Sequence, residues 1–345
     1  RGTFAEGSTR CPVHAPRTLH PIPPPSKDSE MNLLASMRYL VALSEHKHFG
    51  RAAAACHITQ PALSNALRAL ESEFGVVIVK RARVYVGLTH EGERVLATAQ
   101  RMLRDNEVLL QELRSEAGEP RGSLRMAAVP TAIPMLSRFA AMLHQCHPGI
   151  VPGVISMSSQ ELETGLESLS VDLALGYTER MHMPGIKLTA WPQSIEHYFL
   201  LRRAAVPSDD QLRIGKPLAW SEAATLPLCL LTPDMHNRAI VDQALREAVG
   251  TVVAPAIETN SVLALVLAVI AGTVSSVLPG AMVAAVRSYR ELEALPLVAP
   301  EILTPIGFMT QDGVRASRAL EAALAFLQTP EWLAQAALHS GTLGE

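Results

Sequence analysis

The stretch Phe49-Gly50-Arg51-Ala52-Ala53-Ala54-Ala55-Cys56-His57-Ile58-Thr59-Gln60-Pro61-Ala62-Leu63-Ser64-Asn65-Ala66-Leu67-Arg68 decides the N-terminal fold. Gly50 opens a short alanine-rich helix. His57-Ile58-Thr59 is too short for a loop and reads as a tight turn. Thr59 has the hydroxyl of a helix cap, and Pro61 is tolerated only in the first turn of the helix that follows, where its missing N–H costs nothing. The pattern predicts a second helix over Gln60 to Glu73. Two helices joined by a three-residue turn make a helix-turn-helix.

The small alanines let the second helix cross the first closely. Leu63, Ala66, Leu67 and Leu70 then face inward, and Gln60, Ser64, Asn65 and Arg68 share the polar side. These residue types suit a major groove: Asn or Gln pairs with adenine, Arg with guanine or phosphate, Ser with either. A polar stripe on an isolated helix is more often a solvated face. Here the turn, the cap and the local charge favour DNA.

Working outward, Leu33, Met37, Leu40, Val41 and Leu43 recur at helical spacing between Asn32 and His46. After Phe74-Gly75, residues 76–88 are rich in β-branched side chains, with Lys80, Arg81 and Arg83 in the middle. This reads as a hairpin with a basic tip, placed to touch phosphates or the minor groove. Residues 31–90 hold seven Lys/Arg against three Asp/Glu, whereas residues 121–345 hold 15 against 20. A basic segment on an acidic remainder suggests an anionic partner at one end.

The run Phe49-Gly50-Arg51-Ala52-Ala53, then Thr59-Gln60-Pro61-Ala62-Leu63-Ser64, Leu70-Glu71 and Leu88-Thr89-His90-Glu91-Gly92 resembles the N-terminal signature of LysR-type transcriptional regulators. The resemblance covers some sixty residues in order and spacing. It implies a winged helix-turn-helix over residues 31–89 whose second helix reads the major groove, with Arg51, Thr59, Gln60, Pro61, Ser64, Asn65, Arg68, Arg81 and Arg83 as the DNA-binding set. The wing departs from the family pattern: Val79 stands where Phe is usual, and the basic pair is Arg81-x-Arg83 rather than more widely spaced. Implied partners are double-stranded promoter or operator DNA, a small-molecule effector, a second copy of the chain (homodimer, then homotetramer) and RNA polymerase.

Thr89 can cap a long helix over residues 90–117. Along it Val95, Ala99, Met102, Asn106, Leu109 and Leu113 alternate in steps of four and three, the heptad signature of a dimerisation seam. A second stripe, Leu96, Leu103 and Leu110, recurs every seven residues. Both stripes could instead bury within one chain; the resemblance favours dimerisation. Gly118 to Gly122, with Pro120, reads as a hinge.

Residues 121–345 alternate strand-like and helix-like stretches, which predicts an α/β domain with a parallel sheet covered by helices. The weaker resemblance here implies a two-subdomain, periplasmic-binding-protein-like effector domain in which the chain crosses twice. Stretches 303–310 and 315–327 then return to the first subdomain. Ligands of open α/β sheets sit beyond the carboxyl ends of strands, where helix starts offer free N–H groups. Thr131, Ser158, Ser159, Thr232, Thr259 and Asn260 fall there as candidate effector-binding residues, although each can also be an ordinary cap. Asp234 and Ser261 share the same loops, and Arg238 lies near one helix start. The chemistry favours a small anion.

Composition, with 48% hydrophobic residues, is that of an ordinary globular protein. The four cysteines, Cys11, Cys56, Cys146 and Cys229, are too dispersed for a CxxC site and fit a reducing cytoplasm. A thiol-based redox sensor using Cys146 and Cys229 is the nearest alternative, but both lie in apolar stretches. His144, Cys146 and His147 read as a helix end before Pro148-Gly149, with no fourth metal ligand in spacing. Residues 1–30, with six prolines and no apolar core for export, are expected to be a disordered leader, either an expression remnant or an upstream extension. The uncharged run Ser261 to Val286 is long enough for a membrane span, but Gly272, Ser275, Ser276 and Pro279-Gly280 divide it into helix, strand and helix. No phosphate-binding, nucleophile-elbow or zinc-protease motif occurs. No catalytic residue, metal or cofactor is therefore assigned, and an enzyme or a solute binder is the rival class.

Overall fold

The computed structural model describes residues 32–81, 85–115, 119–180 and 187–338. It divides into two compact units, the first ending at Val76 and the second beginning at Val77. The expected leader lies outside the described residues.

In the first unit, α1 (Leu33–His46), α2 (Phe49–Ala55) and α3 (Gln60–Phe74) pack pairwise. Each start has a side-chain cap. Asn32 Oδ1 accepts from the Ala35 N–H, His48 Nδ1 from Gly50 and Arg51, and Thr59 Oγ1 from Ala62. The His48 cap moves the start of α2 to Phe49, one residue before Gly50. His57 takes φ 55° and the Ile58 N–H returns to the Ala53 carbonyl at 3.0 Å. This left-handed closure keeps the turn between α2 and α3 tight. Met37, Leu40, Leu43, Ala52, Ala53, Leu63, Leu67 and Leu70 are buried.

The second unit opens with an antiparallel hairpin, β1 (Val79–Arg81) and β2 (Tyr85–Leu88). Its tip, including Arg83, lies outside the described residues, and of Arg81 only the backbone is described. Then α4 (His90–Arg114) begins under the Thr89 cap, whose Oγ1 accepts from Gly92 at 2.9 Å. It ends three residues short of the expected Ala117, and Gly118 of the expected hinge is not among the described residues.

The C-terminal α/β part follows as β3 (Gly122–Ala128), α5 (Ile133–Cys146), β4 (Ile150–Ser156), α6 (Ser159–Glu167), β5 (Leu173–Tyr177) and β6 (Leu188–Glu196). Next come β7 (Tyr198–Arg203), β8 (Arg213–Ile214), β9 (Leu218–Ala219), α7 (Trp220–Ala223), β10 (Cys229–Leu231), α8 (His236–Val249) and β11 (Ile257–Thr259). The chain closes with α9 (Val262–Ile270), β12 (Ser276–Pro279), α10 (Gly280–Ala285), β13 (Leu292–Val298), β14 (Thr304–Gln311), α11 (Arg318–Phe326) and α12 (Pro330–Leu338). One subdomain is the sheet β4-β3-β5-β14-β6. The other has β12-β7-β13-β8, with β9 beside β13 and a parallel β10–β11 pair.

The chain crosses between subdomains twice, through His197 after β6 and through residues 299–303 before β14. These crossings correct the expectation of a parallel sheet. A strand entering from the other subdomain runs backwards, so β14 is antiparallel to both β5 and β6, and β7 is antiparallel to β12 and β13. Phe139, Phe308, Phe326 and Trp332 centre the first core, and Trp220 and Leu265 are buried in the second subdomain. The uncharged run becomes α9, β12 and α10. Among the described residues, no helix is long and apolar enough to cross a membrane.

Candidate nucleic-acid interface and ligand cleft

On α3, Leu63, Leu67 and Leu70 are buried while Gln60, Asn65 and Arg68 are exposed and Ser64 is half-buried. Arg68 Nη1 donates to Asn65 Oδ1 at 3.2 Å, so the two sit as a pre-set pair with donors to spare. Thr59 and Pro61 are exposed at the start of the helix. Arg51 is exposed on α2 and spends one donor on the His46 carbonyl, at 2.8 Å, tying the start of α2 to the end of α1. The structure thus brings seven of the nine expected DNA-binding residues onto α2 and α3. The two wing arginines are the exceptions given above.

Along α4 the heptad residues divide. Ala99 is buried, Val95 and Asn106 are half-buried, and Met102, Leu109 and Leu113 are 38%, 47% and 75% exposed. In the second stripe Leu96 is buried, Leu103 half-buried and Leu110 exposed. The C-terminal half of α4 is clamped to the α/β part that follows it. Arg104 meets Asp172 at 3.0 Å, both nearly inaccessible, and Arg125 reaches the same carboxylate at 2.9 Å. Gln111 Nε2 donates to the Ser123 carbonyl, and Arg315 grips Glu112 at 2.7 Å.

The facing ends of the two subdomains meet at a polar cluster. Thr131, buried in a 3-10 turn between β3 and α5, lies 3.3 Å from the Tyr177 hydroxyl at the end of β5. The Tyr177 ring meets His236, at the start of α8, edge-on with centroids 4.8 Å apart. His236 also contacts Glu179 through Nε2 at 3.2 Å and Arg180 through Nδ1 at 3.4 Å; a proton on Nε2 satisfies both. Arg180 is in turn paired with Glu163 at 2.8 Å. Asn237 and Thr304 both donate to the Tyr198 hydroxyl, at 3.4 and 3.3 Å. Glu196, the last residue of β6, paired opposite Thr304, is 1% exposed. Burial pushes its carboxyl up to about 8, and burial likewise raises both tyrosine hydroxyls, with Glu196 adding to each.

The expected effector residues reach this region unequally. Thr131 is in it. Ser159 lines a cavity of about 20 Å³ beside Tyr177, Arg180 and Met309, and its hydroxyl is buried without a partner among the described residues. Ser158 instead closes a capping box on α6 with Glu161, whose carboxylate already occupies that helix start. The Thr232 hydroxyl, after β10, is buried and has no partner among the described residues. Thr259 Oγ1 accepts from the Ser261 N–H, and Asn260 is exposed. Arg238 is spent on Leu231, Asp242 and Glu258. Sequence reasoning missed Tyr177, Glu196, Tyr198, His236, Asn237 and Thr304. The available signal was Glu196-His197-Tyr198, an acid set against an apolar strand.

Of the cysteines, Cys229 is fully buried on β10 and burial pushes its thiol up, while Cys146 is exposed at the end of α5. Cys56, half-buried at the end of α2, is raised by burial and by Glu45. Cys11 lies outside the described residues.

Residues 34–93 match the model of the bacterial regulatory helix-turn-helix protein, lysR family, and residues 117–330 match the LysR substrate binding domain. A hydrogen peroxide-inducible genes activator of Dickeya chrysanthemi is 36% identical over 144 residues, 41% of this chain; the chain spans only 47% of that relative's length. Full-length OxyR from Pseudomonas aeruginosa shares the fold at TM-score 0.58 and 24% identity, over 86% of this chain and 97% of that one. Full-length CbnR, solved with its target DNA, shares it at TM-score 0.57 and 21% identity, over 88% and 99%.

Proposed function

The chain belongs to the LysR family of bacterial regulators, and on that premise we propose that it is a sequence-specific DNA-binding transcription regulator governed by a small effector. The carrying observation is the α2–turn–α3 unit with Gln60, Asn65 and Arg68 presented on one exposed face. DNA binding is assigned to residues 31–89, with Arg81 and Arg83 as phosphate contacts of the wing. Residues 90–117 form the dimerisation linker, and residues 121–345 sense the effector. The protein acts as a homodimer or homotetramer in the cytoplasm, on promoter DNA and with RNA polymerase, and it is not an enzyme. The exposed Met102, Leu109 and Leu113 support the dimer. The effector is a small molecule bound where the subdomains meet, near Thr131, Ser159 and Thr232. The start of α8, which no side chain caps, supports an acid group on it.

A thiol-based redox sensor, the nearest alternative, is disfavoured because burial pushes the Cys229 thiol up and Cys146 sits apart from it at the exposed end of α5. Gel-shift titration of the full chain against genomic fragments, at several salt concentrations, tests the assignment. Selective retention of one fragment is expected, and uniform binding of all fragments would sink the proposal.

A further inference from the structure

Glu196 stands out among the polar residues of the cleft. Among the described residues its carboxyl makes no hydrogen bond or ion pair, and Oε2 is fully buried. Ser194, two residues earlier and therefore on the same face of β6, also leaves its hydroxyl buried and unpartnered. A buried, unpaired carboxyl is costly in either charge state. Its surroundings do not supply a counter-charge. The titratable groups nearby are Tyr177 on β5, Glu179 after it, Tyr198 on β7 and His236 on α8, with Glu301 on the second crossing held by His197. Arg180, the guanidinium that the described residues bring to this cluster, is committed to Glu163 and His236. Glu196 therefore leaves the cleft with one negative charge in excess whenever it ionises, close enough to Tyr177 and Tyr198 to raise both hydroxyls.

We propose that this cleft takes a ligand carrying an organic ammonium group, seated against the Glu196 carboxyl and the Ser194 hydroxyl. An ammonium supplies the missing counter-charge and the missing hydrogen-bond donors at once. The inference rests on the reading of this domain as the effector-binding one. An acid group elsewhere on the same ligand would reach the uncapped start of α8. Entry requires the Tyr177–His236 contact to part, so the ligand binds one arrangement of the subdomains in preference to the other.

The test is calorimetric titration of the full chain with ethylammonium, benzylammonium and putrescine, and with propionate, benzoate and succinate as acid counterparts. An ammonium that binds must first ionise Glu196. Its affinity should therefore rise about tenfold per pH unit between about pH 6 and about pH 7.5, levelling off above about pH 8. Buffers of different ionisation enthalpy should report about one proton released per ligand at the acid end of that range. Glu196→Gln, a shape-preserving change checked by circular dichroism, should abolish the pH slope and weaken ammonium binding about 100-fold. Ammonium binding that ignores pH, or silence from all three ammonium probes, overturns the proposal. Acid binding that survives Glu196→Gln but is lost in Thr131→Val overturns it too, while leaving an effector cleft in place.

Discussion

Asp172 receives two guanidinium groups in a site closed to water, and it is the residue on which the junction of α4 with the regulatory domain depends most. Replacing it with Ala leaves Arg104, 4% exposed, with only the half-exposed and more distant Glu107, at 3.6 Å, to answer its charge. Breaking a buried pair from one side costs about 3–5 kcal/mol. Urea unfolding of the Asp172→Ala chain should show a loss of that size in the regulatory transition, and a loss below about 1 kcal/mol would contradict the assignment. Gly92 is a second single-residue dependence: a Cβ there would lie 2.2 Å from the Ile78 carbonyl oxygen. Because backbone cannot yield as a side-chain tip can, Gly92→Ala should cost about 1–3 kcal/mol in the same assay. Gly92 belongs to the quoted signature, but neither residue's packing role could be read from sequence spacing. Asp172 read only as the start of a strand, because its partners Arg125 and Arg104 lie 47 and more residues away.

At the level of elements, α3 and α4 were legible because their signals are local. A hydroxyl cap, a proline in the first turn and a 3.6-residue period are all written within one helix. Strands β6 and β13 were not, since Pro192 and Pro296 interrupt their patterns and β6 is an edge, where proline is tolerated. Two expectations follow from the helices. Asn65→Ala and Arg68→Ala should each weaken binding to the cognate fragment by about 1–3 kcal/mol and random DNA much less, measured by gel shift; equal losses on both would contradict base reading. The double variant Met102→Glu, Leu109→Glu places charge on the exposed stripe of α4. Sedimentation velocity should then show the monomer at concentrations where the parent is dimeric, and unchanged sedimentation would move the dimer contact elsewhere.

For the whole molecule, only the crossings explain why the ligand cleft was half-legible. Thr131 and Ser159 follow strands that the sequence marks clearly, whereas Glu196 and Thr304 come together only because β6 and β14 pair where the chain changes subdomain, Thr304 opposite Glu196. That placement has a consequence for stability. Glu196 is at its ordinary 4.5 in the unfolded chain and, through burial, at about 8 when folded. A raised folded value means that the folded state holds this proton more tightly. Its contribution is therefore complete below about pH 4.5 and is lost progressively as pH rises towards about 8, at up to about 1.4 kcal/mol per pH unit. Glu293 acts in a different window. Burial alone would raise it, but Arg202 and Arg213 outweigh burial and hold it below the usual range, so its contribution is lost only as pH falls through that lowered value. The two therefore separate cleanly. Denaturant unfolding across a pH series should show the regulatory transition weakening between about pH 5 and about pH 8, and Glu196→Gln should flatten that limb while leaving the acid limb unchanged. An unaltered alkaline-side slope in the variant would mean that Glu196 is not the group whose proton the closed subdomains retain.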